Sequence, residues 1–483
     1  MVDCKNYVNG QFLAGSGALR EVRSPQTGKV IGQFHESSAA DIEVAVSFAK
    51  KAATRWNKTP IKERASLLLN LRSILLRDID LIAKQISAES GKIHAEAKAG
   101  LMKGIEVLEF ATALQNADAG GRLQVSRGVF CEYRREALGV VAGITPFNFP
   151  AMVPMWMIPI ALAVGNAFVW KPSDKTPLTS NLLAKAIEEA GFPAGVFTVL
   201  QGGRESVEAI IDHPTIAAVG FVGSSPIAKT VYARGTALGK RVLALGGAKN
   251  PIILMPDADL EMASRGIADS FTGCAGQRCM AASVLLAVGN VDSHIQGIVE
   301  KARTIKTGAD MGALISRESL NRLNQAIEQA VQEGAKLLLD GRNPKVSDEQ
   351  KEGYWLGPTI LDGVKANSTA ACDELIGPII AIVRCQNLSE ALNFEAASHY
   401  GNACSVFTQN GAIAERVANE STAGMIGVNI GVPVPREPFS FGGTKSSKYG
   451  TGDITGETGV EFWSQLKKVT IKWAESSDKN WMS

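Results

Sequence analysis

The segment Gly273-Cys274-Ala275-Gly276-Gln277-Arg278-Cys279-Met280 places two cysteines among glycines and small residues, with an arginine beside the second. Glycine lets backbone come close to a bound molecule, and a neighbouring guanidinium favours thiolate over thiol. Cys279 therefore qualifies as a nucleophile, whereas Cys274 has no charged neighbour. A cysteine is more often a small buried hydrophobe, and that reading stands beside the chemical one. A second signal is Ile144-Thr145-Pro146-Phe147-Asn148-Phe149-Pro150, a rigid turn directly after a strand-like run. The Asn148 amide, held between two prolines, either stabilises a developing oxyanion or serves the geometry of the turn. Third, Trp170-Lys171-Pro172-Ser173-Asp174 sets a lysine and an acid at a strand end, where they can hold ribose hydroxyls or simply face water. Fourth, Phe221-Val222-Gly223-Ser224-Ser225-Pro226 breaks a strand before a helix with proline near its start, and the free amides there suit a pyrophosphate. No Gly-x-Gly-x-x-Gly follows any strand, so this loop is not the standard dinucleotide fingerprint.

These groups need a scaffold that brings strand ends together. Short apolar runs at Leu138–Ile144, Ala167–Trp170, Val196–Leu200, Ala217–Val222 and Val242–Leu245 alternate with helical segments, a repeated βαβ order. Such an order predicts a doubly wound sheet with its ligand at the carboxyl ends of the strands. A second α/β series follows, with runs at Ile252–Met255, Ser283–Val288, Ile379–Arg384 and Ser405–Phe407 and a helix over Arg317–Glu333. Ahead of both, Leu68, Leu71, Leu75, Ile79, Ile82 and Ile86 repeat every three or four residues, and the first 115 residues read as largely helical. Near the end, Leu466, Val469, Ile471 and Trp473 alternate with polar residues and can pair with Val125–Tyr133 as an exposed oligomerisation arm.

At 483 residues the chain is too long for one ordinary core, and 45% hydrophobic with 20% charged residues is the composition of a globular protein. Fifty Lys and Arg against 48 Asp and Glu leave no basic block to track a phosphate backbone, so nucleic acid is not an expected partner. The 7 cysteines are scattered, with no Cys-x-x-Cys pair, which fits a reducing compartment, and the 5 histidines have no zinc-like spacing, so no metal is expected. The N-terminus lacks the apolar run of a signal peptide, and a cytoplasmic location is the expectation. Ala137 to Trp170 carries no charge, but Pro146, Pro150, Pro154 and Pro159 argue against a membrane span and for a core strand, a loop and a buried helix.

Taken in order, Pro146-Phe147-Asn148-Phe149-Pro150, Lys171-Pro172-Ser173, Phe221-Val222-Gly223-Ser224, Gly276-Gln277-Arg278-Cys279, Glu374-Leu375-Ile376-Gly377-Pro378 and Phe441-Gly442-Gly443 resemble the aldehyde dehydrogenase superfamily. The resemblance covers nearly the whole chain. It implies an α/β fold of two doubly wound α/β domains plus a small β oligomerisation arm, and a homodimer or homotetramer. The expected division is 1–117 and 138–246 for NAD binding, 247–445 for catalysis, and 118–137 with 462–483 for the arm. It further implies Cys279 as nucleophile and Asn148 as oxyanion donor, with Ile144, Phe147, Lys171, Ser173, Asp174, Gly223, Ser224 and Glu374 at the cofactor.

Hydrolytic members of that superfamily carry a water-activating Glu 34 residues before the nucleophile; here that position is Leu245, and no acid lies between Lys240 and Met255. Together with the Gly-Ala-Lys-Asn ending at Asn250 and Arg278-Cys279-Met280-Ala281, this looks like the methylmalonate-semialdehyde dehydrogenase branch. The resemblance implies NAD-dependent oxidation of a (methyl)malonate-type semialdehyde, transfer of the acyl group to coenzyme A, and loss of carbon dioxide. Arg278 and Lys103 stand where that branch has its carboxylate-binding arginines, although a structural ion pair is an equal role for Arg278. Val434-Pro435-Arg436-Glu437-Pro438 departs from the branch's apolar segment. Two alternatives remain open, a hydrolytic aldehyde dehydrogenase and an inactive scaffold of the same fold. Asp174 and the absence of Arg from Lys171 to Glu189 favour NAD over NADP.

Overall fold

The computed structural model describes residues 1–117 and 120–473. Val140–Ile144, Ala167–Lys171, Phe197–Val199, Ile216–Val222 and Arg241–Leu245 form the parallel centre of an eight-stranded sheet. Numbered by chain position, these five lie in the order 3-2-1-4-5. Chain direction across the sheet therefore reverses between Val140–Ile144 and Ile216–Val222, and the crevice beyond their carboxyl ends is where such sheets bind ligands. The strands read as continuous apolar runs because both faces are covered, and Val140–Ile144 and Ala167–Lys171 are buried throughout. The uncharged stretch resolves into strand Val140–Ile144, a turn and helix Met152–Ala163, whose residues from Val153 onward are all buried. Among the described residues no helix is long and apolar enough to cross a membrane.

A second, seven-stranded sheet runs Lys336–Leu339, Thr359–Asp362, Ile379–Cys385, Ala282–Val288, Asn250–Leu254, Ala403–Phe407 and Met425–Val428, parallel except at its first pair. A third, three-stranded antiparallel sheet joins Ser464–Lys472 to Val129–Ala137 and that strand to Gly121–Ser126. The pairing expected for the chain end is present, with Val469 opposite Glu132, and Leu123 and Val125 stand exposed on its outer strand. The arm segments 118–137 and 462–483 extend into 118–119 and 474–483, which lie outside the described residues.

One expectation needs correction. The first 115 residues are not helical from their start, because five short strands occupy Val2 to His35 before the helices begin at Ala39. Two of them, Asn6–Val8 and Gln11–Leu13, extend the eight-stranded sheet at its edge. Three-residue strands are too short to show a period, so their pairing comes from the neighbour and not from local pattern.

Candidate active site

A cleft of about 450 Å³ opens at the topological switch and is lined by Asn148, Lys171, Asp174, Gly223, Ser224, Arg278, Cys279 and Glu374, with Ile144, Phe147 and Ser173 also on its wall. The four sequence signals thus converge on one space.

On the nucleotide side, Trp170 Nε1 donates to Thr145 Oγ1 at 2.8 Å, tying together the ends of two neighbouring strands. Lys171 Nζ donates to the Gly202 carbonyl at 2.9 Å, and burial lowers its pKa to about 8 against the opposing charges of Asp174 and Glu36. Helix Ser225–Ala237 follows Gly223-Ser224 with no side-chain cap, so its first amides keep no internal partner from the Ser224 hydroxyl. Amides at a helix N-terminus beside an acid that can accept ribose hydroxyls fit NAD. Arg204, beyond the segment Lys171 to Glu189, also lines the cleft with Asp174 and Lys175, but donates to Glu208 Oε1 at 2.7 Å.

The Cys279 side is held differently. Cys274 and Ala275 have φ of 55° and 53°, and Gly276 at 65° approaches the chain so closely that a Cβ there would lie 2.0 Å from the Gly377 carbonyl oxygen. That approach explains the glycine. The Cys279 carbonyl accepts from Asn250 Nδ2 at 2.7 Å and Asn402 Nδ2 at 2.9 Å, and the Cys274 amide donates to Glu96 Oε1 at 2.6 Å. Gln277 donates to the Ala313 carbonyl and accepts from the Ile315 amide. Asn402, Glu96 and the anchoring role of Asn250 escape a reading of local motifs, because 123, 178 and 29 residues separate them from the atoms they hold.

Cys279 is half-buried, and desolvation pushes its thiol up to about 12. Its own backbone N–H, Arg278 and Lys92 pull the other way, while Glu374 adds to the rise. Asn148 lines the same cleft, and its Oδ1 is buried without a hydrogen-bond partner among the described residues. An asparagine serving only the turn would spend its carbonyl on nearby backbone. Among the described residues Arg278 forms no ion pair, the structural role expected for it as an alternative. Its Nη2 donates to the Asp269 and Ser270 carbonyls at 2.6 and 3.0 Å, ending helix Leu260–Thr272, and its Nε is buried without a partner among the described residues.

Lys103 is not brought to the cleft. On helix His94–Ala117 its ammonium bonds Glu106, one turn along, and it is absent from the cleft wall. The i,i+3 spacing makes that pairing local, and it competes with any role toward a substrate. Glu374 Oε1 accepts from the Ala248 amide at 2.8 Å, burial raises its pKa, and Arg322 and Lys249 oppose the rise. Gly247 makes room for it, since a Cβ there would fall 2.2 Å from Glu374 Oε2. Leu245 is 3% exposed within the core, so no carboxylate stands at that place. Among the described residues no three His, Cys, Asp or Glu side chains gather as a metal site.

Comparison with known proteins agrees with this geometry. Malonate-semialdehyde dehydrogenase 1 of Geobacillus kaustophilus is 40% identical over 476 residues, covering 97% of each chain. The malonate-semialdehyde dehydrogenase of Halalkalibacterium halodurans is 40% identical over 97% of this chain and 98% of its own. The crystal structure of methylmalonate-semialdehyde dehydrogenase from Oceanimonas doudoroffii superposes with a TM-score of 0.97 at 36% identity over 99% of both chains. The same scores hold for a Sinorhizobium meliloti protein assigned as a methylmalonate-semialdehyde dehydrogenase and complexed with NAD. With residues 12–469 matching the family and a cysteine, an amide and a nucleotide cleft meeting at one switch point, the chain belongs to the aldehyde dehydrogenase family and has its fold.

Proposed function

We propose that this enzyme oxidises a malonate-type or methylmalonate-type semialdehyde with NAD and passes the acyl group to coenzyme A. The observation that carries the oxidation is the meeting of Cys279 and Asn148, whose Oδ1 has no hydrogen-bond partner among the described residues, on one cleft with Lys171, Asp174 and the Gly223-Ser224 turn. The Cys279 sulfur attacks the aldehyde carbon, and the oxygen that takes up the charge is met by the Asn148 amide and the Cys279 backbone N–H. NAD, when bound along Lys171 and Gly223-Ser224, supplies the two-electron acceptor. An acyl thioester is left on Cys279.

The burial of Leu245 favours coenzyme A over water as the acceptor, because no positioned base stands there to activate water. The coenzyme A thiolate adds to the thioester carbonyl and expels the Cys279 thiolate, giving acyl-CoA. A malonate-type acyl group also loses its carboxylate as carbon dioxide, giving acetyl-CoA, or propionyl-CoA with a methyl branch. Of the two cations considered for the substrate carboxylate, we assign the role to Arg278, whose Nε is buried and unpartnered in a residue of the cleft wall. The segments 1–117 with 138–246 bind the cofactor, 247–445 carry the nucleophile, and 118–137 with 462–483 pair subunits into a dimer or tetramer in the cytoplasm. The exposed outer strand of the small sheet supports that pairing.

Without coenzyme A, enzyme, NAD and malonate semialdehyde should give a burst of about one NADH per active site and then slow turnover. Coenzyme A should restore steady turnover. Fast turnover to free carboxylic acid without coenzyme A would overturn the acylating reading in favour of hydrolysis.

A further inference from the structure

Two buried polar atoms without a hydrogen-bond partner among the described residues, Lys92 Nζ and Glu96 Oε2, belong to residues lining the same small cavity. At about 10 Å³ it has no room for a ligand larger than one water. Phe149 lines both this cavity and the catalytic cleft. Lys92 is 3% exposed, and its Nζ lies 3.6 Å from the centroid of the Phe149 ring. An aromatic face holds an ammonium, and more strongly once both are out of water.

Filling this space does not require a charge. Methionine or leucine would pack against a phenylalanine without the cost of burying an ammonium, so a lysine here needs another reason. Its neighbours supply one. Glu96 holds the Cys274 amide within the left-handed stretch that leads to Cys279, and the Lys92 charge acts on the Cys279 sulfur in the same sense as Arg278. Glu374 and burial act in the opposite sense.

We propose that Lys92, held on the Phe149 ring and flanked by Glu96, is a positioning residue that supplies a buried positive charge against which Cys279 ionises. The inference rests on Cys279 being the nucleophile, as proposed above. Glu96 serves it twice, fixing the loop through Oε1 and moderating the Lys92 charge.

The test is the pH dependence of iodoacetamide alkylation at Cys279 in the full-length protein, followed by mass spectrometry of the Cys279 peptide so that the exposed Cys372 does not interfere. Lys92→Met should raise the midpoint by about one pH unit or more, with NAD affinity unchanged, and Lys92→Arg should stay near the unmodified protein. Glu96→Gln keeps an oxygen for the Cys274 amide but removes a negative charge, so it should lower the midpoint. Loosening of the fold does not shift neighbouring variants in opposite directions. Coincident profiles, or shifts of one sign, overturn the proposal, and if Lys92→Met does not fold, the sign of the Glu96→Gln shift decides. Should alkylation of Cys279 leave NADH formation intact, the nucleophile assignment falls and this inference with it. Should alkylation abolish NADH formation while the profile ignores both variants, this inference alone falls.

Discussion

Around Lys171 the polar side chains have found partners within the fold, whereas around Cys279 several have not. Lys171 Nζ is bonded to the Gly202 carbonyl, Trp170 to Thr145, and the Ser173 hydroxyl to the Lys175 amide. On the other side, Asn148 Oδ1, Arg278 Nε, Glu96 Oε2 and Lys92 Nζ are buried without hydrogen-bond partners among the described residues. Leaving such an atom unsatisfied costs about 1–3 kcal/mol, more for a charged group. The side chains of the nucleotide half can be set before its ligand arrives, since free backbone amides and a fixed lysine recognise charge the cofactor always carries. The chemical half meets charge that exists only during the reaction, and of its unpartnered atoms Arg278 Nε and Lys92 Nζ are donors held in place for negative charge.

The contrast is broken most severely at Cys279. Cys279→Ala should abolish aldehyde-dependent NADH formation while leaving NAD binding intact by calorimetry, because the sulfur does chemistry and is not part of the nucleotide half. Cys274→Ala, at the left-handed turn, should cost far less. Equal losses from the two variants would contradict the assignment of Cys279.

Asn148 comes next. Asn148→Ala should lower kcat about 100-fold or more with little change in melting temperature, since its Oδ1 makes no hydrogen bond among the described residues. A lowered melting temperature with normal kcat would return Asn148 to the turn and leave the chemical half without its side-chain donor.

The smallest effect is expected on the nucleotide side. Asp174 repels a 2′-phosphate, while Arg204 on the same wall is engaged with Glu208. The kcat/KM for NAD should exceed that for NADP by about tenfold or more, and Asp174→Asn should narrow the gap. Equal values in the unmodified enzyme would mean that Arg204 leaves Glu208 for the phosphate.

How far the sequence reached differs between the halves for the same reason. Val140–Ile144 and Ile216–Val222 are legible because a strand buried on both faces must be apolar along its length, and Cys279 and Asn148 because the motifs around them are contiguous. Leu245, too, is informative by residue type alone, since a leucine cannot act as a base.

Tertiary structure decided what depends on distant partners. Lys103 has the charge to bind a carboxylate, yet its geometry commits it to Glu106, and Arg278 is divided between helix carbonyls and the cleft. Asn402 and Glu96 hold the Cys274–Cys279 loop across 123 and 178 residues, and Lys92 reaches Phe149 from a distant part of the chain. Composition and local spacing determined which groups this chain could use; only the packed structure determined which of them remain free, because a hydrogen bond or a buried charge is settled by the neighbours that folding brings within a few ångströms.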